Sequence, residues 1–383
     1  MSRRISLLFI SKSTGGVGSY VRTLVENLDH TKFDITAICM SEDGEKFASE
    51  LNLKYGIQTY SLAMNRYKIN PFTDLWALIQ LAILLRKKKY DIIHAHASKP
   101  GFLARIAAIG SGIPVIYSPH NFAFHEGAKR ITILATVFLE KFASIFTKKI
   151  ITVAQHEKEL ALHYAIGSAD LYEVVPTGIN ASHFQTKDID ANQVKISLRL
   201  PSNAQIIGSV GRLAHPKMPL DFVAIANLLH KEFPNLHFIW VGSGPLEEEA
   251  KKKTESLGLN HIIHWLGHRT DMQNLYSIFD IFVLLSRWEG NPLVILEAFA
   301  AEIPVIATNN LGTKELINSG ENGFLYPIGD THSIASKIRD LIQSPDVAKP
   351  IIQTATKQID TSYSLTTMIN TLEKIYIQNA VIN

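Results

Sequence analysis

Apolar residues in this chain come in short blocks separated by longer amphipathic stretches. ISLLFIS (5–11), FDITAICM (33–40), the run ending at His96, PVIYS (114–118) and KKIITVA (148–154) form one series, and QIIGSV, HFIWVGS, IIHWL, FVLLS, PVIAT and NGFLYP form a second. Blocks this short with no polar alternation read as parallel strands buried on both faces. The stretches between them read as helices, among them Ser19–Leu28, FTDLWALIQLAILLRKKK and Ile131–Phe146. Strand and helix alternating throughout predicts an α/β protein. With 383 residues, the chain exceeds the ~250–300 residues one core supports. No short-period repeat is present, so the two series predict twin doubly wound domains in tandem.

The most informative stretch is FVLLSRWEGNPLVILEAFAAEIPVIATNNLGTKE, Phe282–Glu315. The strand FVLLS turns through Trp288-Glu289-Gly290 and restarts as a helix, with Asn291 expected at the N-cap and Pro292 at the first helical position. The N–H groups of Leu293 and Val294 then lack helical partners at the positive end of the helix dipole, a geometry that favours phosphate. Glu289 lies in the turn and Glu297 well inside the helix, so the two can reach different parts of one elongated ligand, and carboxylates suit vicinal hydroxyls. The competing reading makes Glu289 a turn cap and Glu297 a solvated helix residue.

Other strand ends carry chemistry too. Gly15 and Gly16 follow the first strand, where glycine permits close approach of a phosphate; a tight turn needs glycine for steric reasons alone, and the spacing lacks the full dinucleotide fingerprint. His94 and His96 share one face of a strand, as metal ligands or as the satisfied wall of a site. His120 follows another strand, beside His125 and Glu126, as a site residue or a structural histidine. Arg212 and Lys217 end the first strand of the second series. Two cations there are costly to bury unless an anion such as a diphosphate meets them. Asp188-Ile189-Asp190 reads as solvated linker, with metal binding the lesser reading.

The spacing E-x7-E in EGNPLVILE, together with PVIAT, the R-x4-K pair and the turn after the first strand, resembles the signature of retaining family-four (group 1) glycosyltransferases of the GT-B fold. The resemblance extends over nearly the whole chain. It implies two Rossmann-like domains facing across a cleft: an acceptor-side domain at 1–185, a donor domain at 186–360, and a final segment, 361–383, with helix Tyr363–Ile377 crossing back to the first. It implies that Glu289 approaches the donor sugar's hydroxyls and that Glu297 holds the ribose. His120 would contact the sugar's hydroxymethyl group, Arg212 and Lys217 the diphosphate, and Gly16 the phosphates from the first domain. The turn at Gly242 and Gly244 and the backbone around His268 and Arg269 would lie near the base. Met218-Pro219 stands where glycine usually follows the lysine, and Asn291 where an apolar residue is frequent.

The activity so implied is transfer of a sugar, with retention and without metal or other cofactor, from a nucleotide sugar (UDP favoured over GDP) to a glycan acceptor. HAHASKPGFLARIAA with PVIYSPHNFAF is similar to bacterial enzymes that extend lipid-linked glycans for capsule, exopolysaccharide or O-antigen. A 2-epimerase of the same fold, a pyridoxal-dependent phosphorylase and a non-catalytic nucleotide-sugar binder are the competing classes.

Charge adds a location. Up to residue 185 the chain holds 21 Lys and Arg against 15 Asp and Glu, and the remainder 17 against 20. Basic residues flank apolar segments at Arg66, Lys68, Arg86–Lys89, Lys129, Arg130, Lys148 and Lys149. They suit an anionic membrane surface or ordinary solvated helix ends. Phe138, Phe142 and Phe146 at four-residue spacing are expected in the core rather than on lipid. One cysteine, Cys39, and an N-terminal apolar run far short of ~18 residues fit a cytoplasmic protein, peripheral at most, and nothing points to nucleic acid.

Overall fold

A computed structural model describes residues 3–13, 15–65, 70–124, 128–185 and 188–381. The chain forms two compact units, Met1–Pro176 with Thr366–Asn383, and Thr177–Leu365. The chain thus leaves the first unit at 176/177, against the expected 185/186, and re-enters it at 365/366, against 360/361.

The first unit is built on seven parallel strands: β1 Ile5–Ser11, β2 Phe33–Met40, β3 Gln58–Leu62, β4 Ile92–His96, β5 Val115–Ser118, β6 Lys149–Thr152 and β7 Tyr172–Val174. Their order is β3-β2-β1-β4-β5-β6-β7. All pairings are parallel. β1 and β4 are covered on both faces, which explains their unbroken apolar runs. The order reverses direction between β1 and β4. Ligands of open α/β sheets bind outside the carboxyl ends of strands at such a switch.

The second unit has six parallel strands: β8 Gln205–Val210, β9 Leu236–Val241, β10 Ile263–Trp265, β11 Ile281–Leu284, β12 Val305–Thr308 and β13 Phe324–Tyr326. Their order, β10-β9-β8-β11-β12-β13, places the switch between β8 and β11. Apolar residues of the covering helices, Phe222 and Val223 on one and Ile295, Leu296 and Phe299 on another, are buried against the sheet. Both units are therefore Rossmann-like, as the alternation predicts.

Several local expectations are corrected. The first helix runs Gly15–Asn27, so Gly15 and Gly16 form its opening turn instead of a loop before Ser19. The last helix runs Leu365–Asn379, two residues later at each end than expected, and follows the helix Ala348–Ser362. The break between them falls where Ile179 N–H donates to the Tyr363 carbonyl and Leu365 N–H to that of Ile179. Asp188 and Asp190 are exposed, as a solvated linker predicts, and Asp190 in addition accepts from the Asn192 and Gln193 N–H groups and caps a helix. Phe138 and Phe142 are exposed, because only Glu140 and Ala143 of helix Arg130–Ser144 are buried. His125, Glu126, Arg66 and Lys68 lie outside the described residues. Among the described residues no helix is long and apolar enough to cross a membrane.

Candidate active site

At the switch point of the second unit, the Lys217 ammonium is bound to a Glu289 carboxylate oxygen, Oε1, and both side chains are largely buried. The loops carrying them are also joined by their backbones: Arg287 N–H donates to the Pro216 carbonyl at 2.8 Å. The aliphatic part of Lys217 lies over Gly211, where an added Cβ would stand 3.4 Å from it. Arg212 is exposed beside them. Met218 takes the left-handed conformation that glycine would favour, φ 50°, with its side chain buried in the core. Burial offsets backbone strain there, and Pro219 opens the next helix.

The turn after β11 is clasped from below. Thr308 Oγ1 accepts from the Ser286 N–H at 2.8 Å, and Asn310 donates to the Ser286 carbonyl at 3.0 Å. Gly312 lies so close that a Cβ would stand 2.5 Å from the Glu289 carbonyl oxygen. The helix begins one residue later than expected: Pro292 is its N-cap and Leu293 its first residue, with no side-chain cap and no acidic residue in the first turn. Asn291 does not cap it. Both polar atoms of its side chain are buried without a hydrogen bond among the described residues. The positive end of this helix thus has neither a side-chain cap nor an acidic residue in its first turn.

Glu297 is held from one side. The Tyr276 hydroxyl donates to its Oε2 at 2.7 Å. Burial raises its pKa above the ordinary value, with the Tyr276 hydrogen bond acting in the opposite sense. Three strand-end loops converge nearby. Gly242 N–H donates to the Gly267 carbonyl at 2.7 Å, and Leu213 N–H to the Ser243 carbonyl at 3.2 Å. A Cβ on Gly242 or Gly244 would stand 2.2 Å from the carbonyl oxygen of Gly211 or Leu213, respectively. His268 is exposed, and Arg269 forks onto Asp271 at 2.7 and 2.6 Å. Its guanidinium is thereby occupied.

In the first unit His94, His96 and His120 lie ring against ring, with His94 and His96 fully buried and His120 stacked on His96. His94 is bonded on both nitrogens, to Tyr376 at 2.7 Å and Ser118 at 2.8 Å. His96 Nδ1 meets His120 Nε2 at 3.0 Å. Among the described residues no group of three His, Cys, Asp or Glu side chains could hold a metal. Burial, then the Lys12 charge, pushes the His120 pKa down to about 3. His120 and Asn121 both have positive φ, 51° and 88°. Strain of this kind persists where surrounding structure enforces it, commonly at functional sites. Lys12, Ser98, Lys99, His120 and Asn121 line a pocket of about 180 Å³. Gly15 has φ 69°; an added Cβ at Gly16 meets nothing within 4 Å, whereas one at Gly18 would stand 2.2 Å from the Ser13 carbonyl oxygen.

Tyr276 lies outside the informative stretch Phe282–Glu315, and Thr308, Asn310 and Gly312 lie within it with no charge or periodicity to mark their roles, so sequence reasoning misses all four. Of the anticipated residues, the second unit brings Lys217 and Glu289 into contact, and Leu293, Val294 and Glu297 lie on the helix that follows the Glu289 turn.

Twin Rossmann-like units, each built on one parallel sheet, are the architecture of the GT-B transferases. Residues 14–183 match the family described as Glycosyltransferase Family 4, and residues 190–358 match Glycosyl transferases group 1. An Escherichia coli relative, UDP-Gal:alpha-D-GlcNAc-diphosphoundecaprenol alpha-1,3-galactosyltransferase, is 30% identical over 362 residues, covering 93% of this chain and 92% of its own. The Staphylococcus aureus capsular polysaccharide biosynthesis glycosyltransferase CapM is 25% identical, covering 97% and 95%. The crystal structure of Anabaena Alr3699/HepE in complex with UDP and glucose shares the fold with TM-score 0.84 at 20% identity, covering 98% of this chain and 100% of that one. The chain belongs to the group 1 glycosyltransferases and is an enzyme of that class.

Proposed function

We propose that this enzyme moves a sugar from a UDP-sugar to a glycan carried on a lipid diphosphate, with retention and without a metal, during synthesis of a bacterial surface polysaccharide. The observation that carries the donor site is the Lys217–Glu289 pair beside the uncapped helix at Leu293. The choice of UDP and of a lipid-linked acceptor is supported by the E. coli relative's name and by the ligand of the Anabaena protein. Such an acceptor puts the enzyme at the inner face of the cytoplasmic membrane.

In this reading a diphosphate enters between Lys217, Arg212 and the N–H groups of Leu293 and Val294. Lys217 exchanges part of its contact with Glu289 for phosphate, freeing the carboxylate for the sugar hydroxyls. Glu297, steadied by Tyr276, takes the ribose, and the loops at Gly242, Gly244, His268 and Arg269 take the base. Asn291 and Pro292 shape the turn. His120, Gly15 and Gly16 keep the roles the resemblance gives them. The bond from the anomeric carbon to the β-phosphate oxygen breaks and its electron pair leaves with UDP. The acceptor oxygen bonds to that carbon on the same face, and its proton passes to a β-phosphate oxygen. Positive charge fixed in advance offsets charge on the leaving group, the work otherwise done by a metal.

The test is incubation with UDP- and GDP-sugars and a diphosphate-linked N-acetylglucosamine acceptor in EDTA, with the product's new linkage read by NMR. An α-linked product from one UDP-sugar is expected. A β-linked product, a metal requirement, an epimerised donor without acceptor, or tight binding without turnover would each overturn the reading.

A further inference from the structure

The first unit carries an outer face with an unusual division of charge. Helices Pro71–Lys87 and Arg130–Ser144 both pack on helix Ser98–Ala107 between them. Right-handed crossovers from β3 to β4, β4 to β5 and β5 to β6 all advance in one direction across the sheet, so the three helices share one face. The first turns Ala77, Leu81 and Leu85 inward. Outward it presents Phe72 (87% exposed), Leu75, Trp76 (61%), Ile79 and Ile83. The third presents Ile131 (77% exposed), Leu134, Phe138 (71%) and Phe142. Each set follows three- and four-residue spacing and makes a continuous apolar stripe.

The acidic residues of these helices are Asp74 and Glu140, and both are drawn inward. Asp74 pairs with Lys99 at 2.7 Å and Glu140 with Arg105 at 2.8 Å. Lys99 and Arg105 belong to the middle helix, so it consumes the carboxylates of both neighbours. No carboxylate of the outer helices remains exposed, and the exposed charges are all cationic: Arg86 and Lys87 at the end of one, Arg130 and Lys141 on the other, with Lys89 and Lys129 just outside them. A protein partner gives no reason to cleanse a surface of negative charge while leaving aromatic side chains in water. An anionic bilayer favours both features, since the rings enter the headgroup boundary and each cation near the surface gains attraction.

We propose that helices Pro71–Lys87 and Arg130–Ser144 dock this unit onto an anionic lipid bilayer, with Phe72, Trp76, Ile131 and Phe138 inserted. The proposal deepens the lipid-linked acceptor reading by naming the surface that brings the enzyme to its substrate. Docking requires neither donor nor acceptor, so it is measured separately from transfer.

The experiment is co-sedimentation of the full chain with phosphatidylcholine vesicles and with vesicles containing about one third phosphatidylglycerol. Binding to the anionic vesicles, lost in high salt, is expected. Phe72→Ser with Trp76→Ser lowers the affinity at least about tenfold. Arg86→Glu with Lys87→Glu lowers it roughly fivefold or more per charge. Both double variants keep wild-type melting temperature and UDP affinity, because the changed side chains lie outside the core and the donor site. Equal binding to neutral and anionic vesicles, or no binding to either, overturns the proposal. So does concentration-dependent dimerisation that the Trp76 variant abolishes, which would give the face to a second copy of the chain. Loss of UDP binding in wild type with vesicle binding intact would count against the donor reading alone.

Discussion

Lys217 and Glu289, 72 residues apart, are joined as an ammonium–carboxylate pair where β8 and β11 part. The cation assigned to the diphosphate and the carboxylate assigned to the sugar thus neutralise one another before donor arrives. Removing one partner leaves the other largely buried and uncompensated. Lys217→Met alone is expected to cost about 2–3 kcal/mol of stability, and a cycle with Glu289→Gln to return about 1–3 kcal/mol of coupling energy. Each single variant should lose transfer by at least ~10². Additive stabilities in denaturant titrations would show that the pair does not couple.

Glu297 carries a testable conflict between stability and binding. Its folded pKa is raised by burial, so the folded state holds its proton to higher pH than the unfolded chain. Its contribution to stability is present below the unfolded carboxyl's ~4.3 and is lost as pH rises through the raised folded value. Glu297→Gln should therefore melt higher than wild type at neutral pH while binding UDP more weakly. Wild-type UDP affinity should fall on mild acidification before ordinary carboxylates titrate, and the Gln variant should be flat over that range. Melting curves and calorimetry at several pH values check both.

The first helix carries a glycine that the proposal assigns to the phosphates, Gly16, and one that packing requires, Gly18. Gly16→Ala finds open space and improves helix propensity, so the fold should gain up to ~1 kcal/mol while transfer drops. Gly18→Ala drives a Cβ into the Ser13 carbonyl and should destabilise by more than about 2 kcal/mol. Unchanged transfer in a well-folded Gly16→Ala enzyme would remove Gly16 from the site.

His94, His96 and His120 are all pushed below the ordinary histidine range by burial and by neighbouring positive charge. The unfolded chain takes up their protons first, so stability falls as pH drops below ~6.5, by up to ~1.4 kcal/mol per histidine per pH unit. The protein should melt markedly lower at pH 5.5 than at pH 7.5, and His120→Asn should show a shallower slope. In its proposed role a neutral His120 acts by hydrogen bonding, so the rate profile should carry no limb from it between pH 6 and 7. An imidazolium signal from His120 at pH 6 would contradict this.

The central strands were legible because they are buried on both faces and so read as unbroken apolar runs, whereas β3 and β7, at the two edges of the first sheet and only partly buried, were not. Lys217, Glu289 and Glu297 were legible singly, through charge at strand ends and helix starts. Their partners were not. The Lys217–Glu289 contact depends on β8 and β11 being neighbours, Tyr276 reaches Glu297 from another helix, and Gly312 matters only through a loop folded against it. Asn291-Pro292 imitates a cap and first helical residue, yet the Asn291 amide turns into the interior and the helix starts one residue on. The phenylalanine stripe at 138–142 gave the spacing of a face without saying which side it faced, and Glu140, not the rings, went inward. A buried Arg105 was needed to take it there.

The central claim is that the second unit binds a nucleoside diphosphate sugar through Arg212, Lys217, the helix at Leu293 and Glu297. Calorimetric titration of UDP-sugars and GDP-sugars in EDTA, with wild type and Glu297→Ala, tests it most directly. The account predicts one preferred UDP-sugar, bound without metal, with affinity reduced at least about tenfold in the variant. Binding indifferent to Glu297, or no binding by the wild type, would contradict it.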